Sequence, residues 1–195
     1  MNDNIAYHEE RQLFYYELGL TISQWPHVEH GFQHAFTSSF KNYDLAIADG
    51  FNAIENFRSR LLVADAVMMR NLKPEFHDEW ARFLTKLQRR NQTRNALAHR
   101  YTIIKPNNKP GRRMLLPGRI GIHNDASSYG VKNLVVIRYA FFGLSNQLLN
   151  FADRLKGAKT PFSVPHGSLD RPPSLRVLLD QMRGEPEPPH RPLRG

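Results

Sequence analysis

The chain has 195 residues, is 41% hydrophobic and carries 27 lysines and arginines against 18 aspartates and glutamates. That suffices for one core of ordinary size plus a tail, and the formal charge of +9 favours an acidic partner: nucleic acid, a membrane surface or an acidic protein. The absence of cysteine excludes disulfides, thiolate metal sites and thiol chemistry.

Residues 1–4 are polar and lack the basic-then-apolar order of a secretory signal. No apolar run approaches the roughly 18 residues of a membrane span, and the longest, 134–144, is interrupted by Arg138. The expectation is a soluble cytoplasmic protein with no membrane partner.

The first helical segment covers about 7–38, with Leu13, Tyr16, Leu20, Val28, Phe32 and Phe36 at helix-like intervals. Pro26 removes a backbone hydrogen bond and clashes with the preceding turn, so a kink or break is expected at Gln24–Trp25. The second segment runs from about 43 to 71. Ile47, Phe51, Ile54, Leu61, Met68 and Leu72 form its stripe, and Arg58 and Asp65 fall on the same face, which suggests a polar network there.

Pro74 suits the first turn of a third helix, expected to reach His99 with Phe76, Trp80, Phe83, Leu84 and Leu87 buried. A fourth helix is expected over 132–156, with Leu134, Ile137, Phe141, Leu144, Leu148 and Leu155 inward and Gly157 as its stop. The connection between these two is rich in Gly, Pro and Asn. Residues 101–104 read as a short strand that 113–122 could pair with across a turn at 107–111, in a connection long enough to be a functional or irregular loop instead. Eight of the 13 prolines fall after residue 157, so 158–195 is expected to be a disordered tail. An amphipathic stretch at 175–182 is its exception. The whole reads as an all-α bundle of four to five helices over 1–157, with a small β-hairpin or loop inserted at 105–130.

The segment with most chemistry is Arg94-Asn95-Ala96-Leu97-Ala98-His99. On a wheel of about 100° per residue with Leu87 at zero, Arg94 falls near −20° and Ala98 near 20°, in the middle of the buried stripe. Asn95 and His99 then lie at its edge, near 80° and 120°. An arginine in a core stripe is costly unless paired or solvated. A structural role would have Arg94 snorkel, or pair with Asp65 or Glu55, while His99 caps the helix against its dipole.

Charge context argues for a site instead. Between Trp80 and Asn124 there is no acidic residue but eleven lysines and arginines: Arg82, Lys86, Arg89, Arg90, Arg94, Arg100, Lys105, Lys109, Arg112, Arg113 and Arg119. A solvated helix face mixes signs, whereas a single-sign run is the footprint of a polyanion or, more simply, a solubility patch. Arg89, Arg90, Arg100, Lys105, Arg112 and Arg113 are the cations expected to meet such a polyanion. Tyr101, beside the motif, is the aromatic best placed to stack on a base.

The Arg94-Asn95-x-x-Ala98-His99 pattern, at the end of a helix and ahead of a closing helix, resembles the HEPN domains (higher eukaryotes and prokaryotes nucleotide-binding). The likeness covers about 7–156 in architecture and six residues in motif; the insertion and the tail are not part of it. It implies a helical bundle that dimerises so that two motifs face one another. It further implies a metal-independent endoribonuclease, often a toxin or phage-defence effector, or a non-catalytic relative that binds RNA or a partner such as an antitoxin protein. Within that resemblance Arg94, Asn95 and His99 are the catalytic set, and no cofactor or metal is called for.

Other chemistry is less supported. His27, His30 and His34 share a helix face beside Glu29, but HExxH is absent and no metal site is expected. Gly118-Arg119-Ile120-Gly121 follows no clear strand and opens no helix, which argues against a dinucleotide loop. Trp25 and Trp80 read as core or dimer-interface residues.

Overall fold

The computed structural model describes residues 2–42, 45–99, 101–104, 113–116 and 129–157, with backbone alone for 2–9, 101–104 and 113–116. Among them, the chain forms an all-α bundle that carries one two-stranded ribbon. The tail at 158–195 and most of the 105–130 insertion lie outside the described residues.

Helices α1 (Asn2–Ser23) and α2 (Trp25–Ser38) meet at Gln24, where the proline argument put the break. Pro26 sits in the first turn of α2, where a missing N–H has no helical acceptor in any case. Gln24 still donates its backbone N–H to the Leu20 carbonyl at 3.1 Å, so the chain bends without unravelling. The bend lets both helices lie against the last one, α6 (Val131–Leu155).

The segment at 43–71 is two helices rather than one: α3 (Leu45–Asn52) and α4 (Phe57–Asn71). Phe51 and Phe57 are both buried, yet in one straight helix they would stand about 120° apart. Breaking the helix turns both rings into the same core. There Phe51 stacks on Phe36 with centroids 4.2 Å apart, and Phe57 meets Trp25 edge-on at 5.1 Å. Asn56 restarts the helix: its side-chain oxygen accepts from the N–H groups of Arg58 (2.8 Å) and Ser59 (3.3 Å).

The restart also changes the helical phase. Within α4 the buried positions are Phe57, Leu61, Ala64 and Met68, so Arg58 is exposed and not core-facing as its spacing had implied. Asp65 is half-buried, and it accepts the Trp80 indole N–H at 2.9 Å.

A 3₁₀ turn, Pro74–Phe76, leads into α5 (His77–His99), which buries Trp80, Phe83, Leu87 and Leu97. Both tryptophans belong to the core of this chain. Phe32 stands at its centre, against Phe51, Phe57 and Trp80. Helix α6 closes the bundle and ends as expected at Gly157, whose φ of 78° is the left-handed value that terminates a helix.

Strands β1 (Tyr101–Ile104) and β2 (Arg113–Leu116) pair antiparallel, with Tyr101 opposite Leu116 and Ile104 opposite Arg113. They follow α5 directly and β2 lies against α1. Between α1 and α6 runs a polar seam with no counterpart in the sequence reading. Glu17 is fully buried and ion-paired with Arg138 at 3.2 Å. Thr21 Oγ1 donates between the Glu17 and Leu134 carbonyls, at 2.7 and 3.1 Å. No described helix is long and apolar enough to cross a membrane.

Candidate nucleic-acid site

The motif occupies the last turns of α5, just ahead of the ribbon. Its buried stripe does not continue straight to that end. Leu97, which is 3% exposed, lies about 80° around the helix from Leu87. Ala98, placed by the wheel at the stripe's centre, is therefore exposed, and Arg94 is half-buried at its margin. The reason is that α5 contacts α4, α1 and α6, so no single face serves its whole length.

Arg94 and Asn95 stand together. The Arg94 guanidinium donates through Nη1 to Asn95 Oδ1 at 3.1 Å. Both line an open groove of about 520 Å³ between the end of α5, the first turn of α4 and α2. The structural strut considered for Arg94 does not form: Asp65 is engaged by Trp80, and Glu55 shares the groove with Arg94 without an ion pair among the described residues. His99 is exposed one turn beyond Asn95, about 6 Å further along the axis, and outside the groove's lining.

The rest of the groove comes from distant parts of the chain. Glu29 of α2 accepts the Trp25 indole N–H at 2.7 Å and lies 3.8 Å from Arg60 of α4. Arg58 and Arg60 flank the first turn of α4, and Asn91 adds a carboxamide one turn before Asn95. From the sequence Glu29, Glu55 and Arg58 stood out only as charges with other assignments, and Arg60 and Asn91 not at all. One signal was present in it: Asn91, Asn95 and His99 recur at steps of four, which sets three hydrogen-bonding side chains along one face of α5.

The remaining cations expected to meet RNA divide into two groups. Arg89 is exposed and Arg90 half-buried on α5, above the groove and not in its lining. Burial, and then the neighbouring Arg89 charge, lower the Arg90 pKa. Arg100, Lys105 and Arg112 lie outside the described residues, and Tyr101 and Arg113 are placed by backbone only, at opposite ends of the ribbon.

Arg82 and Lys86 belong to a second, smaller groove of about 270 Å³ between α5 and α6. There Lys86 donates to Gln147 Oε1 at 2.9 Å, and Arg154 is paired with Glu79. His27 and His30 are exposed on α2, and the His30 and His34 rings lie parallel with centroids 6.3 Å apart. Burial is the main influence lowering the His34 pKa; the charges of Lys156 and His30 add to it and Asp153 opposes it.

Compared with protein-family models, with curated proteins and with solved structures, the chain matches none.

Proposed function

We propose that this protein is a HEPN-type, metal-independent endoribonuclease that acts as a homodimer, in the manner of a toxin or phage-defence effector. One observation carries the reading. Arg94 is bound to Asn95 on the wall of a solvent-open groove, with no carboxylate paired to it among the described residues, and an exposed His99 follows one turn later. A structural arginine would be locked to a buried acid; this one leaves guanidinium donors for a ligand.

In this reading the ribose 2′-oxygen attacks the adjacent phosphorus and the bond to the 5′-oxygen breaks. An imidazole takes the 2′-hydroxyl proton, and an imidazolium supplies one to the departing 5′-oxygen, a task suited to a group that titrates near neutrality. The two copies of His99 in a dimer would share these roles. Arg94 neutralises charge on the non-bridging oxygens as it builds, and Asn95 orients both the guanidinium and the phosphate. The products are a 2′,3′-cyclic phosphate and a 5′-hydroxyl. A second copy is supported by Leu62 and Met69, which are exposed on the face of α4 that carries Arg58 at the groove.

Labelled RNA incubated with the purified protein in EDTA tests the proposal. Wild type should generate cyclic-phosphate ends and His99→Ala should not; equal cleavage by the two, or none by either, removes the catalytic reading.

A non-catalytic alternative has its own observation. Glu29 and Glu55 line the groove beside the arginines, and His99 lies off it, which suits holding a strand or an antitoxin-like partner better than reacting with it. Salt-sensitive RNA binding without turnover would favour this second reading.

A further inference from the structure

We infer that the groove holds a second phosphate subsite, built by Arg58 and Arg60 of α4, which takes an RNA phosphate next to the one that Arg94 and Asn95 engage. The inference rests on the RNA reading above and adds to it the path of the strand, from the motif towards the first turn of α4.

Arg60 is the key group. Its side chain is only 17% exposed, and its guanidinium sits 5.7 Å from the Phe57 ring centroid. Its carboxylate neighbour, Glu29, is 3.8 Å away, close enough to attract but too far to hydrogen-bond. Arg60 Nε is buried with no hydrogen-bond partner among the described residues. Nε is shut away from solvent, so the terminal guanidinium nitrogens, which make no hydrogen bond among the described residues, are the donors left for an acceptor such as a phosphodiester.

The charge balance agrees. Three arginines and two glutamates line the groove. Glu29 is occupied by the Trp25 indole as well as by Arg60, so its charge is held at the wall. Arg58 is exposed and unpaired among the described residues, and Arg94 spends one donor on a neutral amide. The Asn56 side chain and the N–H groups of Arg58 and Ser59 are committed to the helix cap, so the cations, not the helix end, carry the attraction. Glu55 repels phosphate oxygens and accepts hydrogen bonds, which turns a ribose hydroxyl or base amino group towards it.

The test is the salt dependence of binding for a fluorescent, 2′-O-methylated RNA oligonucleotide, which cannot undergo 2′-hydroxyl attack. Each phosphate contact on a single strand contributes about 0.7 to the slope of log K against log salt. Arg58→Gln with Arg60→Gln removes that one contact and should lower the slope by about 0.7, so a fourfold rise in salt would weaken binding about 2.6-fold less than in wild type. Arg58→Gln alone, at an exposed position that cannot disturb the core, should lower it by a smaller amount in the same direction, since Arg60 remains to meet the phosphate. Arg82→Gln, in the other groove, should leave it unchanged.

Unchanged slopes in both groove variants, an equal drop with Arg82→Gln, or no binding by wild type would overturn the subsite. The two proposals fail separately. A protein that cuts RNA while its groove variants keep the full slope loses only the subsite; one that never cuts but shows the reduced slopes loses only the catalysis.

Discussion

Gly31 of α2 lies where that helix packs closely on α6, and replacing it with alanine should destabilise the protein despite alanine's better helix propensity. A Cβ there would stand 2.9 Å from the Ser145 carbonyl oxygen and 3.2 Å from Leu148 Cβ, both on α6. A carbon normally keeps about 3.3–3.6 Å from a carbonyl oxygen, so α2 and α6 must separate by roughly 0.4–0.7 Å. The obstacle is backbone, and no rotamer change removes it. Overpacking of this kind costs about 1–3 kcal/mol, while Gly→Ala in a helix returns about 1 kcal/mol. Because the clash is with backbone, the upper half of that range applies, and the net loss should be about 1–2 kcal/mol. For a chain of 195 residues this lowers Tm by about 2–8 °C. Gly19→Ala is the internal control: it is helical, nothing lies within 4 Å of the new methyl, and it should gain up to about 1 kcal/mol. Thermal and urea denaturation followed by circular dichroism would measure both. A Gly31→Ala protein that melts at or above wild type would refute the claimed closeness of α2 and α6.

Breaking the buried Glu17–Arg138 pair from the cationic side is expected to be severe: Arg138→Met strands a fully buried carboxylate and should cost about 3–5 kcal/mol by urea denaturation. Burial raises the Glu17 pKa more than Arg138 lowers it. With the folded value above the unfolded one, this group favours the fold at pH below the carboxylate range, and that contribution is lost as pH rises through the raised value. Denaturation of wild type and Glu17→Gln in parallel should therefore show the variant gaining on wild type as pH is raised from about 4 to 7; a constant difference would count against the raised pKa. Arg94→Ala should change stability by no more than about 0.5 kcal/mol, since no ion pair depends on it among the described residues. A loss of several kcal/mol would return Arg94 to a structural role.

Local signals accounted for much of the framework. The bend before Trp25, the stop at Gly157 and the 101–104 strand each follow from one residue's backbone chemistry or a short period, and each lies where the sequence put it; Pro74 opens a 3₁₀ turn, and the helix expected to begin there starts at His77. The second segment shows where periodicity misleads. Its apolar spacing reads as one stripe through 43–71, but the chain breaks at 53–56 to bring Phe51 and Phe57 into one core, and Arg58 turns outward as a result.

What residue order determined alone is most of the helical framework, the bend before Trp25, the stop at Gly157 and the placing of an arginine, an amide and a histidine at the close of α5, because dihedral preference, capping and hydrophobic period act over a few residues. Which side chains became neighbours was decided by tertiary structure. Arg94 shares a groove with Glu29, Arg58 and Arg60, and Glu17 meets Arg138 across 121 positions of chain. Those encounters depend on how helices cross and where a helix breaks to bury two aromatic rings, quantities that belong to the packed core as a whole and to no spacing within the chain.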